Sequence, residues 1–288
     1  MSRIRTAAAL VALSLGLFGA SYGATVGTAS AAPEERAAQR TTAWHLHFKD
    51  DFKGTRLTSY WSHKNTPASH RDTCRYTSPY AHDRSRNRSN NSVVKVHDGR
   101  LHLLVRKQVC PNGRVLWKSG AITTYSTMHM ESALTWRITA KIKFPRSSGN
   151  HAALWSLAVN NAMPTGPQEL DMAESFGWKS RAGNCNGHTW LNYYWIYTDP
   201  AAQVKQCMKK SPTPWSGFHT YKVLWKGGQY ARVYIDGVKR GELLGAAVPN
   251  TPEYLLLTNL VNDGHGKNIG RIDSSTTMIV ESIKTEWR

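Results

Sequence analysis

Acidic side chains are scarce in this chain. Asp and Glu total 19 against 37 Lys and Arg, a formal charge of +18 over 288 residues. A field of that sign attracts polyanions. No nucleic-acid-binding motif accompanies it, so an anionic wall or matrix polymer is the partner it suggests. Five arginines gather at Arg71, Arg75, Arg84, Arg86 and Arg88, either as a contact surface for such a polymer or as a solvated basic loop. Cysteine is nearly absent as well. The four present, Cys74, Cys110, Cys185 and Cys207, form no C-x-x-C pair, which argues against structural zinc. Long apolar runs are missing beyond one from Ala7 to about Ala20, too short for a stable membrane span. Helical periodicity is scarce, and neither an internal repeat nor a dividing linker is found.

The apolar run has a different meaning. Arg3 and Arg5 precede it, and Ala29, Ser30 and Ala31 follow as an A-x-A cleavage pattern. Residues 1–32 read as a secretory signal peptide, so the mature chain is expected outside the cell. Without Arg3 and Arg5 the balance is 35 basic to 19 acidic residues, or +16. An even cysteine count in an exported chain favours disulfides. Several pairings exist; Cys74–Cys110 and Cys185–Cys207 are preferred because each closes a loop-rich segment. Residues 33–43 are small and polar, a flexible mature N-terminus, and 44–288 are expected to form one domain. A monomer is the expected state.

From Trp44 onward, short runs rich in Val, Ile, Tyr, Trp and Thr alternate with Gly, Pro, Asn and Asp. Strands are expected at 44–52, 92–97, 100–107, 134–144, 151–159, 168–176, 188–197, 219–225, 231–235, 254–260 and 276–287. Asp98 with Gly99 and Asp236 with Gly237 are hairpin-turn signals. This pattern predicts an all-β antiparallel sandwich. Tryptophan is abundant, at eleven. Many of these belong in a core, but a flat aromatic face also matches the C–H face of a sugar ring.

Three of the nineteen acids stand close together. Residues 169–174 read Glu-Leu-Asp-Met-Ala-Glu. Side chains alternate along a strand, so Glu169 and Asp171 share a face and Glu174 should oppose them. A β-bulge near Met172 and Ala173 restores the parity and lines up all three. Like charges so close oppose one another's ionisation. An exposed acidic strand edge is the plain alternative. Glycosidic cleavage, however, requires such a pair: one carboxyl attacks, another donates a proton, and both flank one bond roughly 5–5.5 Å apart. Four effective strand steps span about 13 Å, and two long Glu side chains can lean inward to close that gap.

The hexapeptide resembles the bulged E-x-D-x-x-E active-site strand of glycoside hydrolase family 16. Ser119 to Thr124 (S-G-A-I-T-T), Arg137 to Pro145, Phe218 to Tyr221 with Trp225, and Tyr234 to Gly237 resemble further segments of that family in the same order. The resemblance implies a concanavalin-like β-jelly-roll sandwich of two antiparallel sheets with an open cleft. It implies an endo-acting, retaining activity, with Glu169 as nucleophile, Glu174 as acid/base and Asp171 assisting between them. No metal or organic cofactor is required, although some relatives carry a structural calcium. The family's G-x-W-P-A-F-W segment reads here Gly-Asn-His-Ala-Ala-Leu-Trp from Gly149 to Trp155. Trp155 matches, but His151 stands at the first tryptophan. His151, Trp155, Trp190, Asn192 and Tyr194 are candidates to line the sugar site; a satisfied structural histidine is the alternative for His151.

The substrate class this implies is a β-1,3- or mixed β-1,3/1,4-glucan. The +16 charge and altered tryptophans keep open an anionic or galactose-based polysaccharide of the carrageenan or agar kind. A non-catalytic, lectin-like wall-binding module is the remaining alternative, against which the intact acid triplet argues.

Overall fold

The computed structural model describes residues 43–62, 81–82, 93–109, 111–113, 115–125, 127–147, 149–159, 168–177, 190–195, 204–208, 211–261 and 276–288. The described residues form fifteen strands: β1 (His45–Asp50), β2 (Ala81–His82), β3 (Val94–His97), β4 (Arg100–Val109), β5 (Val115–Thr123), β6 (Thr135–Lys143), β7 (Asn150–Ala158), β8 (Gln168–Ser175), β9 (Trp190–Trp195), β10 (Val204–Cys207), β11 (His219–Lys226), β12 (Tyr230–Ile235), β13 (Val238–Leu244), β14 (Glu253–Val261) and β15 (Thr276–Trp287). A single 3-10 turn at Gly245–Ala247 is the one helical element among them. No helix of the described residues is long and apolar enough to cross a membrane.

Two burial patterns divide the strands into two layers. In β6, Trp136, Ile138, Ala140 and Ile142 point inward, while Arg137, Thr139, Lys141 and Lys143 are only partly covered. Strands β11 and β12 alternate in the same way. That is the signature of a sheet with one wet face. Strands β7 and β8 are instead covered on nearly every residue. One of their faces joins the main core; on the other, Ala153 and Trp155 of β7 form a separate apolar cluster with Tyr254 and Leu256 of β14.

The strand order is β10-β9-β8-β7-β14-β5-β4-β15-β6-β11-β12-β13, with β1 beside β15, β3 beside β4 and β2 beside β5. Every pairing is antiparallel except the short β2–β5 contact. The two expected sheets are therefore continuous. Their joint is β5, whose residues 115–119 pair with β4 and whose residues 120–123 pair with β14. Across the interior, Leu101, Leu103, Ile138 and Val223 of one layer meet Leu154, Leu170, Leu255 and Leu257 of the other.

Gly120 sits at the joint. A Cβ there would lie 2.6 Å from the Val93 carbonyl oxygen and 2.9 Å from the Leu104 amide nitrogen. Those two backbone groups are themselves joined by a 2.7 Å hydrogen bond from Leu104 N to Val93 O. Neither can move aside without breaking a ladder, so only glycine fits.

Beneath one end of β7 and β8 lies a small polar island on the core side. Gln168 accepts from Asn250 N at 2.8 Å and donates to Asn250 Oδ1 at 3.0 Å. Thr251 donates to Glu253 Oε1 at 3.2 Å. Glu253 is 0% exposed. Burial pushes its carboxyl well above the usual carboxylate range; Ser156 and Thr251 oppose the shift, and the Glu169 charge adds to it. A folded chain that keeps this proton longer than the unfolded chain loses stability as pH rises above the ordinary Glu range, and regains it as pH falls.

Two outcomes follow for stability. Gly120→Ala is expected to destabilise the fold by at least about 1–3 kcal/mol in denaturant unfolding, whereas no loss means the joint can relax. Glu253→Gln is expected to gain on the wild type by about 1.4 kcal/mol per pH unit from about pH 5 upward. Parallel stability curves for the two proteins contradict a neutral buried Glu253.

Candidate active site

The acid strand β8 folds as its sequence requires. Leu170, Met172 and Ala173 enter the main core. Trp155 of β7 pairs with Asp171, and Leu154 with Ala173, which leaves Met172 as the extra residue. On the other side Asp171 pairs with Asn192 and Glu174 with Trp190, so Met172 and Ala173 together face the single residue Leu191. This is the expected bulge, at the expected place. Both bulged side chains are apolar, so the core holds the irregularity in position.

The parity change sets the acids in successive cross-strand rows. Tyr254, Leu157, Glu169 and Tyr194 form one row across β14, β7, β8 and β9. Leu256, Trp155, Asp171 and Asn192 form the next, and Thr258, Ala153, Glu174 and Trp190 the third. A fourth row begins with Leu260 and His151. Residues paired across an antiparallel ladder share a face, so Glu169, Asp171 and Glu174 lie on the side away from the main core. The backbone register thus puts Tyr194, Asn192 and Trp190 opposite the three acids in order.

Exposure differs along the row of acids. Glu169 is partly exposed, whereas Asp171 and Glu174 are 3% and 2% exposed. Their neighbours account for part of that cover. Trp155 is buried beside Asp171, and its indole N–H donates to Thr258 Oγ1 at 3.1 Å. His151 is 8% exposed, and its Nε2 lies 2.5 Å from Glu174 Oε1. The imidazole stacks on Phe176, with ring centroids 4.5 Å apart and planes 23° from parallel. Gly177 follows with φ +77°, and a Cβ there would collide with the Ser147 carbonyl. Glycine therefore lets the chain turn out of β8 and leaves Phe176 under His151.

His151 was expected to touch sugar or to be satisfied structurally; the structure gives it a protein partner, and that partner is one of the three acids. Tyr254, Thr258 and Phe176 also belong to this face and escaped the sequence reading. Tyr254 packs edge-on against Tyr125 at 4.8 Å. Burial raises its phenol above the usual range, with Tyr125, Glu253 and Glu169 adding to the shift. Alternation along β14 could have paired Tyr254 with Thr258, but only the register to β7 shows which face they take. Cys74, Cys110 and Cys185 lie outside the described residues, as does the side chain of Cys207, and the expected disulfides lie there with them. The arginines from Arg71 to Arg88 are outside them too.

The chain matches the family described as glycosyl hydrolases family 16 over residues 82–275. No curated protein matches it. Among solved structures it resembles the catalytic domain of an endo-1,3-β-glucanase (laminarinase) from Thermotoga petrophila RKU-1, with 17% identity, a TM-score of 0.61, and coverage of 85% of this chain and 98% of that one. It also resembles an endo-β-1,3-glucanase from Pyrococcus furiosus, with 17% identity, a TM-score of 0.63, and coverage of 84% and 94%. A laminarinase from Rhodothermus marinus shows 16% identity, a TM-score of 0.64, and coverage of 85% and 98%. At such identities the likeness concerns the fold, an all-β jelly roll. The family match spans well over half of the sequence and encloses the bulged acid strand, so the chain belongs to glycosyl hydrolase family 16 and is a glycoside hydrolase.

Proposed function

We propose that the protein is a secreted, retaining endo-β-glucanase that cleaves β-1,3 or mixed β-1,3/1,4 linkages. The observation that carries this reading is the placement of Glu169, Asp171 and Glu174 in successive rows on one sheet face. Glu169 is the nucleophile: its carboxylate oxygen bonds to the anomeric carbon as the glycosidic C–O bond breaks. The departing oxygen takes the proton of Glu174. Water then adds to the anomeric carbon and gives its proton to Glu174, and the bond to Glu169 breaks. Asp171 assists from the row between. Trp190, Asn192 and Tyr194 stand at the register positions that line the acids on the β9 side, and Trp155 backs them from β7.

The placement of charge bears on the substrate. Across β14, β7, β8 and β9 the rows of the acids include no Lys or Arg; one strand further, Lys205 of β10 pairs with Asn192 in the Asp171 row. Arg137, Lys141, Lys143, Lys222 and Lys226 instead lie on the outward-facing positions of β6 and β11, in the other layer. A sulfated substrate needs cations beside the scissile bond, and among the described residues the one Lys in these rows stands two strands away from the acids, so a neutral glucan suits this face better. The similar folds described as β-1,3-glucanases and laminarinases support the same choice. The outward basic face serves contact with an anionic wall or matrix polymer. Export with removal of residues 1–32, a catalytic domain over 44–288, and disulfides Cys74–Cys110 and Cys185–Cys207 complete the proposal; the N-terminal sequence and the even cysteine count support it.

The test is incubation with laminarin, lichenan, barley β-glucan, carrageenan and agarose, with reducing ends assayed and the first product anomer followed by NMR. Turnover of neutral glucans with retained β configuration is expected, and Glu169→Gln should lower it by about 10⁴-fold or more while binding persists. Turnover confined to carrageenan or agarose supports the anionic or galactose-based alternative. Binding without turnover on any polymer supports a lectin-like module.

A further inference from the structure

We propose that His151 is a positioning residue for the acid/base Glu174, holding its carboxyl in place from the neighbouring strand. This inference rests on the catalytic reading above. The two groups come from different strands and different rows: Glu174 pairs with Ala153, and His151 lies one row beyond. Their contact is therefore diagonal, and it is not imposed by the ladder itself.

At 2.5 Å, Nε2 and Oε1 cannot both present bare lone pairs. A proton must lie between them, carried either by the imidazole or by the carboxyl. Both side chains are almost fully buried, where an unshared charge or an unmet polar atom is costly. The contact therefore persists in either protonation arrangement.

The imidazole is itself fixed. Its ring stacks on Phe176, two residues beyond Glu174 in the chain, and its backbone pairs with Leu260 of β14. A Glu side chain has three rotatable bonds, and one that wanders by an ångström loses much of its value as a proton donor. His151 removes that freedom through Oε1. Ala152 and Ala153, which follow it, are too small to reach Glu174 in its place. His151 does not touch the reacting atoms in this role; it acts through Glu174.

Two substitutions separate positioning from packing. His151→Gln keeps an N–H donor near the Nε2 position and loses the ring. His151→Phe keeps a ring on Phe176 and loses the donor. The substrates are whichever neutral β-glucan the wild type cleaves and 2,4-dinitrophenyl β-laminaribioside, whose leaving group departs without a proton. We expect His151→Phe to lower kcat/KM on the polysaccharide by about tenfold or more and on the aryl glycoside by less than about threefold. His151→Gln should keep most activity on both. Should His151→Phe not fold, His151→Asn replaces it, because its shorter amide falls short of Oε1. A wild-type rate for the donor-less variant on polysaccharide, or equal losses on both substrates, overturns the positioning role and leaves the catalytic reading standing. A wild type inert on both substrates removes the catalytic reading, and the role of His151 with it.

Discussion

In a regular strand Asp171 and Glu174 point to opposite sides of the sheet, and no arrangement of loops can repair that. The extra residue in β8 removes the conflict. Met172 and Ala173 stand together against Leu191, both enter the core, and the acids fall into three adjacent rows. The irregularity is held by apolar burial on one face, while its consequence appears on the other. A polar residue at 172 or 173 would remove the reason for the bulge to stay where it is. The site's chemistry thus depends on core packing more directly than on any contact among the acids.

The two faces of this layer have separate duties. On the inner side, Leu154, Leu170, Leu255 and Leu257 pack against the other layer, and Gln168, Asn250, Thr251 and Glu253 form a polar island at one end. On the outer side, Ala153, Trp155, Tyr254 and Leu256 make a second apolar cluster on β7 and β14, in the same cross-strand rows as the acids of β8. Strand β5 couples the layers, since the same strand pairs with β4 at one end and β14 at the other. The close passage at Gly120 is the steric condition for that coupling.

Much of this was legible in the chain. The runs rich in Val, Ile, Tyr, Trp and Thr at 134–144, 219–225 and 231–235 predicted β6, β11 and β12, and the structure gives each of them one wet face. The bulge was legible because three acids at offsets of two and three cannot otherwise share a face. Strand β5 was not seen as a strand. Its central Lys118, Ser119 and Gly120 break the apolar pattern, for the very reason that the strand changes partners there. Strand β13 was missed as well: at the end of the strand order, with Lys239, Arg240, Gly241 and Glu242 in its middle, it carries the polar guard expected of an edge. The His151 contact was out of reach for a different reason. It joins β7 to β8 diagonally, and sequence alone gives neither the register of that pair nor the side of β8 that β7 occupies.

The central claim is that a bulged strand brings Glu169 and Glu174 to bear on one glycosidic bond, with Glu169 as the attacking group. A 2-deoxy-2-fluoro-β-laminaribioside with a dinitrophenyl leaving group should trap the covalent intermediate, and peptide mapping by mass spectrometry should locate the sugar. The account predicts a single label on Glu169. A label on any other carboxylate, or turnover of glucan with inversion and no trapped intermediate, would contradict it.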